Sequence, residues 1–299
     1  MINHIKILAL FVILFVFLGC KDKSSPVDNN NNPHVQSKSA KRGIAYDLTA
    51  AADLAALSNS VSWWYNWGTT TGAPSNYYKN YNMEFIPMLW GGNTSYNDYS
   101  AVKNFILAHR EVKYLLVLNE PNLTDQANQT PVQAAADWLI YEQLVKDVAS
   151  QGDTVYLVGP QMNWGTMSGY SDPVVWLDAF YAAYKSANGG RIPQIDYLAF
   201  HWYDYGLSDQ LNHLQKYGKK IWITEMANWN AQINSYAKQA VEMQKMVDTC
   251  ETRSDVFRYA WFMGRGTLPD NKFTYLFTNT PGELTDLGKL YISLPYSKQ

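Results

Sequence analysis

Cysteine is nearly absent from the 299 residues: there are two, Cys20 and Cys250, too few for a disulfide framework. The five histidines, His4, His34, His109, His201 and His213, show no metal-ligand spacing, so neither a metal site nor another cofactor is expected. Charge is scarce too. Only 17% of residues are charged, and 24 basic against 26 acidic side chains leave a net charge of −2, without the cationic field that draws nucleic acid. The apolar run from Ile7 to Leu18 falls short of the roughly 20 residues a membrane-spanning helix needs. No glycine-rich phosphate loop closes a strand, and no solenoid repeat is present. What the chain does have is apolar and aromatic residues, 47% and 15%, which exclude a disordered chain and exceed what core packing alone asks of rings.

Residues 1–19, with Lys6 ahead of the apolar run, read as a signal peptide. Its ending, Phe17-Leu18-Gly19-Cys20, resembles the lipobox of bacterial lipoproteins, which implies an acylated N-terminal Cys20. Residues 20–40 carry the run Asp28 to Pro33, four asparagines among it, and almost nothing apolar; a flexible tether is expected. No aspartate follows Cys20 directly, so the resemblance favours an outer-membrane or cell-surface location in a Gram-negative cell. With Cys20 lipidated, Cys250 reads as a buried small hydrophobe.

Residues 41–299 alternate β-rich runs with segments of helical period. Strands are expected near 43–47, 62–67, 84–90, 114–120, 154–161, 196–203, 220–226 and 258–264. Helices are expected at 50–58, 96–108, 131–149, 173–188, 207–217, 233–251 and near 285–293, with only 76–81 available after the second strand. Tyr114 to Leu118 and Ile221 to Ile223 are continuous apolar runs, the mark of strands covered on both faces. Eight such strands without a linker-like break predict a single (β/α)8 TIM barrel.

The active site of a TIM barrel lies at the C-terminal ends of its strands. There the fourth strand delivers Asn119-Glu120-Pro121-Asn122 and the seventh delivers Thr224-Glu225-Met226. Each glutamate alone reads as a solvated loop residue. Two on facing strands are what glycosidic cleavage requires, one to protonate the leaving oxygen and one to attack or stabilise the oxocarbenium-like centre. Trp67, Trp90, Trp164, Trp202, Trp229 and Trp261 fall at strand ends with Tyr46, Tyr65 and Tyr203, placed to stack on sugar faces, whereas Trp138 and Trp222 sit inside apolar runs and read as core.

The set Asn119-Glu120-Pro121-Asn122, Ser62 to Gly68 (Ser-Trp-Trp-Tyr-Asn-Trp-Gly), Phe200-His201-Trp202-Tyr203 and Trp222-Ile223-Thr224-Glu225 resembles the clan of retaining glycoside hydrolases with acid/base and nucleophile on strands four and seven. More narrowly it is similar to glycoside hydrolase family 128, a glycosyl hydrolase catalytic core acting on β-1,3-glucans, and the likeness runs from about Lys41 to the C-terminus. The resemblance implies Glu120 as acid/base, Glu225 as nucleophile, and a polysaccharide or oligosaccharide as the partner of a monomeric enzyme. Asn119 would bond the sugar 2-hydroxyl. His201 and Tyr203, two apart on one strand, point to the same side and would hold Glu225. Trp67, Trp164, Trp202 and Trp229 are the expected stacking residues, with Asp47, Asp204 and Asn228 as further sugar contacts. Glu120 is expected to have a raised pKa, from the neighbouring carboxylate and apolar surroundings. Two readings stay open: a clan relative acting on another β-glucan or mannan, and a glycan-binding surface lipoprotein that does not cut.

Overall fold

A computed structural model describes residues 38–266 and 273–296. The expected signal peptide, Cys20 and the greater part of the expected tether lie outside these residues. Four longer helices begin where a side chain satisfies the free N–H groups of a first turn. Ser95 accepts from Asp98 N ahead of α3 (Tyr96–Ala108), and Asp172 accepts from Val174 N ahead of α5 (Pro173–Ala187). Thr130 and Gln133 form a reciprocal capping box, with Pro131 at the first position of α4 (Pro131–Ser150). Ser235 caps α7 (Tyr236–Thr252), which fixes its start three residues later than the sequence period suggests. The remaining helices are α1 (Ala51–Leu57), α2 (Tyr77–Tyr81), α6 (Leu207–Leu214) and α8 (Asp286–Ser293). The expected 207–217 helix tightens into a 3-10 turn at 215–217, where Gly218 takes the left-handed conformation that ends it.

The strands are β1 (Arg42–Ala45), β2 (Trp63–Tyr65), β3 (Glu84–Phe85), β4 (Met88–Leu89), β5 (Tyr114–Val117), β6 (Tyr156–Met162), β7 (Tyr197–Trp202), β8 (Ile221–Met226) and β9 (Val256–Trp261). They form one parallel sheet in the order β3-β2-β1-β9-β8-β7-β6-β5-β4. Its two end members are halves of the single stretch expected at 84–90, interrupted at Ile86-Pro87. Proline has no N–H to give a ladder, but its carbonyl still accepts from Leu116 N at 3.0 Å, while Ile86 N donates to Trp64 O at 2.9 Å. The stretch thus bonds β2 on one side and β5 on the other. The architecture is α/β, a curled parallel sheet of TIM-like form.

Strand residues alternate between two cores. Trp63, Tyr65, Val158, Ala199 and Trp222 belong to a small inner cluster, and Trp64, Leu157, Phe200 and Ile223 to the larger one against the helices. Trp138 and Trp222 are fully buried, as their apolar settings indicate, and so is Cys250.

The packed chain starts earlier than residue 41. Lys38 Nζ donates to the carbonyls of Ser58, Val61 and Tyr81, at 2.8, 2.8 and 3.3 Å, and burial lowers its pKa to about 8. Ser39 is buried and donates to Glu251 Oε1 at 2.6 Å. Residues 38–40 therefore belong to the folded body, not the tether. Composition hid this, because an ammonium can be held by backbone carbonyls with no apolar neighbour in sequence.

Candidate active site

Glu120 owes its position to a backbone that leaves the ladder. Leu118 and Glu120 have φ of 59° and 43°, in the left-handed region that side-chain-bearing residues rarely adopt and that concentrates at functional sites. This is why β5 stops at Val117, three residues short of the apolar and polar pattern. Glu120 N is held by Gln161 O at 2.8 Å, and its Oε1 accepts from Asn163 Nδ2 at 2.8 Å and meets His201 Nδ1 at 2.6 Å.

Glu225 is the penultimate residue of β8, on the opposite side of the site. Its Oε1 accepts from Tyr65 OH and Trp67 Nε1, both at 2.8 Å, and its Oε2 accepts from Tyr203 OH. Trp67 has φ 62°, another departure from ordinary backbone, and it turns the indole N–H onto the carboxylate. Tyr65 and Tyr203 carry phenols pushed well above their usual range, by burial first and by Glu225 next, so both remain donors. Tyr203 is itself stacked on Trp229, ring centroids 3.9 Å apart.

His201 lies between the two acids, 3.5 Å from Glu225 Oε2 in addition to its contact with Glu120. Burial pulls its pKa down, and the two carboxylates raise it by more, leaving it above its ordinary value. For Glu120, burial acts upward but is outweighed by the His201 charge and by hydrogen bonds from His201 and Asn163, so its pKa is lowered. This reverses the expectation of a raised value. The sequence showed the neighbouring carboxylate and the apolar flanks but not an imidazole wedged between the acids.

One oxygen of each glutamate and a His201 ring nitrogen all lie within 4.8 Å of one another, the only grouping among the described residues with the spacing of a cation site. The donors around it suit a different occupant. Indole, amide and phenol protons already point at the carboxylate oxygens, and none of these groups turns to ligate a cation without abandoning that bond.

Above the acids is a cleft of about 580 Å³, lined by Trp67, Trp90, Asn119, Asn163, Tyr203, Trp229, Phe262 and both glutamates among others. Of the expected site residues, Trp67, Asn119, Glu120, Tyr203, Glu225 and Trp229 converge there, with His201 just beneath. Asn119 gives its Nδ2 to Gln126 Oε1 at 3.2 Å, and its Oδ1 has no protein partner. Trp164 is 49% exposed and packs 6.5 Å from the buried Trp202; neither lines the cleft. Trp261, grouped by sequence with the binding rings, is fully buried with its N–H on Thr274 O, and is core. Asn228 is buried against Gln239 and Glu242, and Asp47 and Asp204 pair with Asn66 and Asn230 away from the cleft. Asn163 was missed, although a polar residue just past β6 was the available signal.

Trp67→Phe should keep the ring and lose the charged hydrogen bond, worth about 1.5–3 kcal/mol, so kcat falls about 10- to 100-fold with little change in KM. Trp229→Ala should chiefly raise KM for oligosaccharides, and Trp261→Ala should lower Tm with activity per folded molecule retained. Steady-state kinetics and calorimetry on the three variants check this; a Trp229 variant with unaltered KM would remove that ring from substrate binding.

Two buried carboxylates held by different donor sets, facing each other under an indole-lined cleft at the strand ends of a curled parallel sheet, define a site of the glycoside hydrolase class. The glycosyl hydrolase catalytic core family model matches residues 43–291, and the chain belongs to glycoside hydrolase family 128. A solved subgroup II endo-β-1,3-glucanase of this family from Pseudomonas viridiflava is 54% identical, covers 87% of this chain and all of its own, and has a TM-score of 0.81. A second, from Sorangium cellulosum, is 30% identical with TM-score 0.71, covering 86% of this chain and 100% of its own. Alkali-sensitive linkage protein 1 of Schizosaccharomyces pombe is 27% identical over 273 residues; the match takes in 86% of this chain but only 45% of that longer relative.

Proposed function

We propose that this protein is a retaining endo-β-1,3-glucanase built on an eight-stranded barrel in which 84–89 serves as one interrupted strand. The observation that carries the mechanism is the separation of the two acids. A nearest approach of their oxygens within 4.8 Å suits carboxyl groups about 5–5.5 Å apart, the spacing of double displacement, better than the roughly 6.5–9.5 Å at which inversion admits its attacking water. Glu225, with three neutral donors, attacks C1 of the sugar as Glu120 gives its proton to the departing glycosidic oxygen. Glu120 then takes a proton from the water that attacks C1, and Glu225 is released as a carboxylate.

Before the first step the proton shared by Glu120 and His201 has to sit on the carboxyl oxygen. The 2.6 Å contact supports such a transfer, and a sugar ring over the site, by excluding water, withdraws the solvation that favours the charged pair over a neutral acid and a neutral imidazole. The substrate reading rests on the two solved subgroup II relatives. A reducing-sugar assay on β-1,3-, β-1,6-, mixed-linkage and β-1,4-glucans tests it, with product sizing to distinguish internal from terminal cleavage. Soluble sugar released from β-1,3-glucan is the expected result; cutting confined to β-1,4-linked chains, or none at all, would end this reading.

The lipobox-like ending at Cys20 supports attachment of the enzyme to the outer membrane, the tether giving it reach into a polymeric substrate. Mass spectrometry of the mature protein should find an acylated Cys20 as its first residue. An unmodified terminus at another position would refute the anchor.

A further inference from the structure

The assignment of Glu120 and Glu225 leaves open what keeps two like charges at so short a distance. We infer that Gln161 and Thr224 form a buried strut that sets the separation of the two catalytic glutamates without touching substrate; this rests on the glycosidase reading above. Both side chains belong to residues of zero exposure. Thr224 Oγ1 donates to Gln161 Oε1 at 2.6 Å, and Thr224 is the residue before Glu225. The main chain of Gln161 holds the other acid: its carbonyl accepts from Glu120 N at 2.8 Å, and its N–H donates to Leu118 O at 3.0 Å. One residue thus grips the left-handed turn that carries Glu120 and, through one hydrogen bond, the strand that carries Glu225.

The local backbone is shaped for this contact. The register of β6 on β7 slips by one residue between Val158 and Gln161, and that of β8 on β9 slips between Ile223 and Met226. Such bulges beside active sites re-aim side chains. Thr224 lies two residues from Trp222, hence on the inner face, and Gln161 Nε2 is fixed by Val158 O at 2.6 Å, which leaves its Oε1 to Thr224. A regular ladder would give neither residue a reason to be polar in the middle of an apolar interior.

Thr224→Val removes the donor at nearly constant volume, and Gln161→Met removes the acceptor. A shift of the acids by about 1 Å costs on the order of 10²-fold, so each variant should lose about 10- to 100-fold in kcat on β-1,3-glucan with KM within about twofold of wild type. Thr224→Ser, which restores the hydroxyl, should recover kcat. The double variant leaves no Thr224 hydroxyl buried without its acceptor, so it should regain Tm relative to Gln161→Met but not kcat. NMR titration of the His201 ring needs no substrate and should show its pKa falling back toward 6.5 in Thr224→Val, as Glu225 moves away. A wild-type protein inert on β-1,3-glucan would overturn the substrate reading, and the His201 titration would then decide the strut by itself. A Thr224→Val variant with unaltered kcat, an unaltered His201 titration, or a double variant whose kcat returns with its Tm would overturn the strut.

Discussion

Glu225→Gln should leave a folded protein with turnover reduced at least about 10⁴-fold, since no covalent intermediate forms and the loss of a nucleophile exceeds that of a general acid. The glutamine amide still meets Tyr65, Trp67 and Tyr203, so Tm should stay near wild type. Glu120→Gln should lose about 10²–10⁴-fold on natural glucan, the usual worth of proton transfer. It should lose far less in the glycosylation step on an aryl glycoside whose leaving group needs no proton. The small-to-void variants separate the roles. Glu120→Ala with azide should release a β-glycosyl azide, the anion attacking the intermediate on the face water normally takes, whereas Glu225→Ala with azide should give the α-azide. Proton NMR of the first product of the wild-type enzyme should show β-configured ends. The α-anomer as first product would refute retention and with it the role of Glu225.

His201→Phe should change the pH dependence of both activity and stability. In the wild type one proton is shared by Glu120 and His201, so the basic limb of kcat/KM belongs to the pair and lies near the raised His201 value, above 6.5. Without the imidazole the proton has only the carboxyl to occupy, and the basic limb should move toward the carboxylate range. The stability signs follow from the same shifts. His201 has a folded pKa above its ordinary 6.5, so its charge stabilises the fold fully below that pH, and the contribution is lost as pH rises through the folded value. Glu120 has a folded pKa below its ordinary 4.5, so its contribution is present above that pH and lost as pH falls through the lowered value. The Tm deficit of His201→Phe should accordingly be greatest between 4.5 and 6.5 and shrink toward alkaline pH. A deficit independent of pH would mean that His201 packs between the acids as a neutral ring.

Much of this was legible without coordinates. The helical period placed α3 at its observed limits, 96–108, and α4 within one residue, because the spacing of apolar residues over successive turns is a property of the local chain. Continuous apolar runs gave the parallel sheet, since a strand buried on both faces has no polar face to alternate with. The two glutamates were found because each follows such a run, and the position of a strand end is itself a local property.

What only the tertiary structure decided is everything set by approach of distant segments. The imidazole of His201 comes to 2.6 Å from a carboxylate 81 positions away and reverses the sign of the Glu120 shift. Trp67 became a hydrogen-bond donor, Trp261 a core ring and Asn163 a partner of Glu120, because burial and direction depend on neighbours from other strands. Pro87 divided one expected strand between two others, and Lys38 joined the fold through carbonyls that no sequence pattern marks. Composition and period fix which residues are buried along each element; the charges and hydrogen bonds that make a site arise where elements meet, and those distances are set by the curl of the whole sheet.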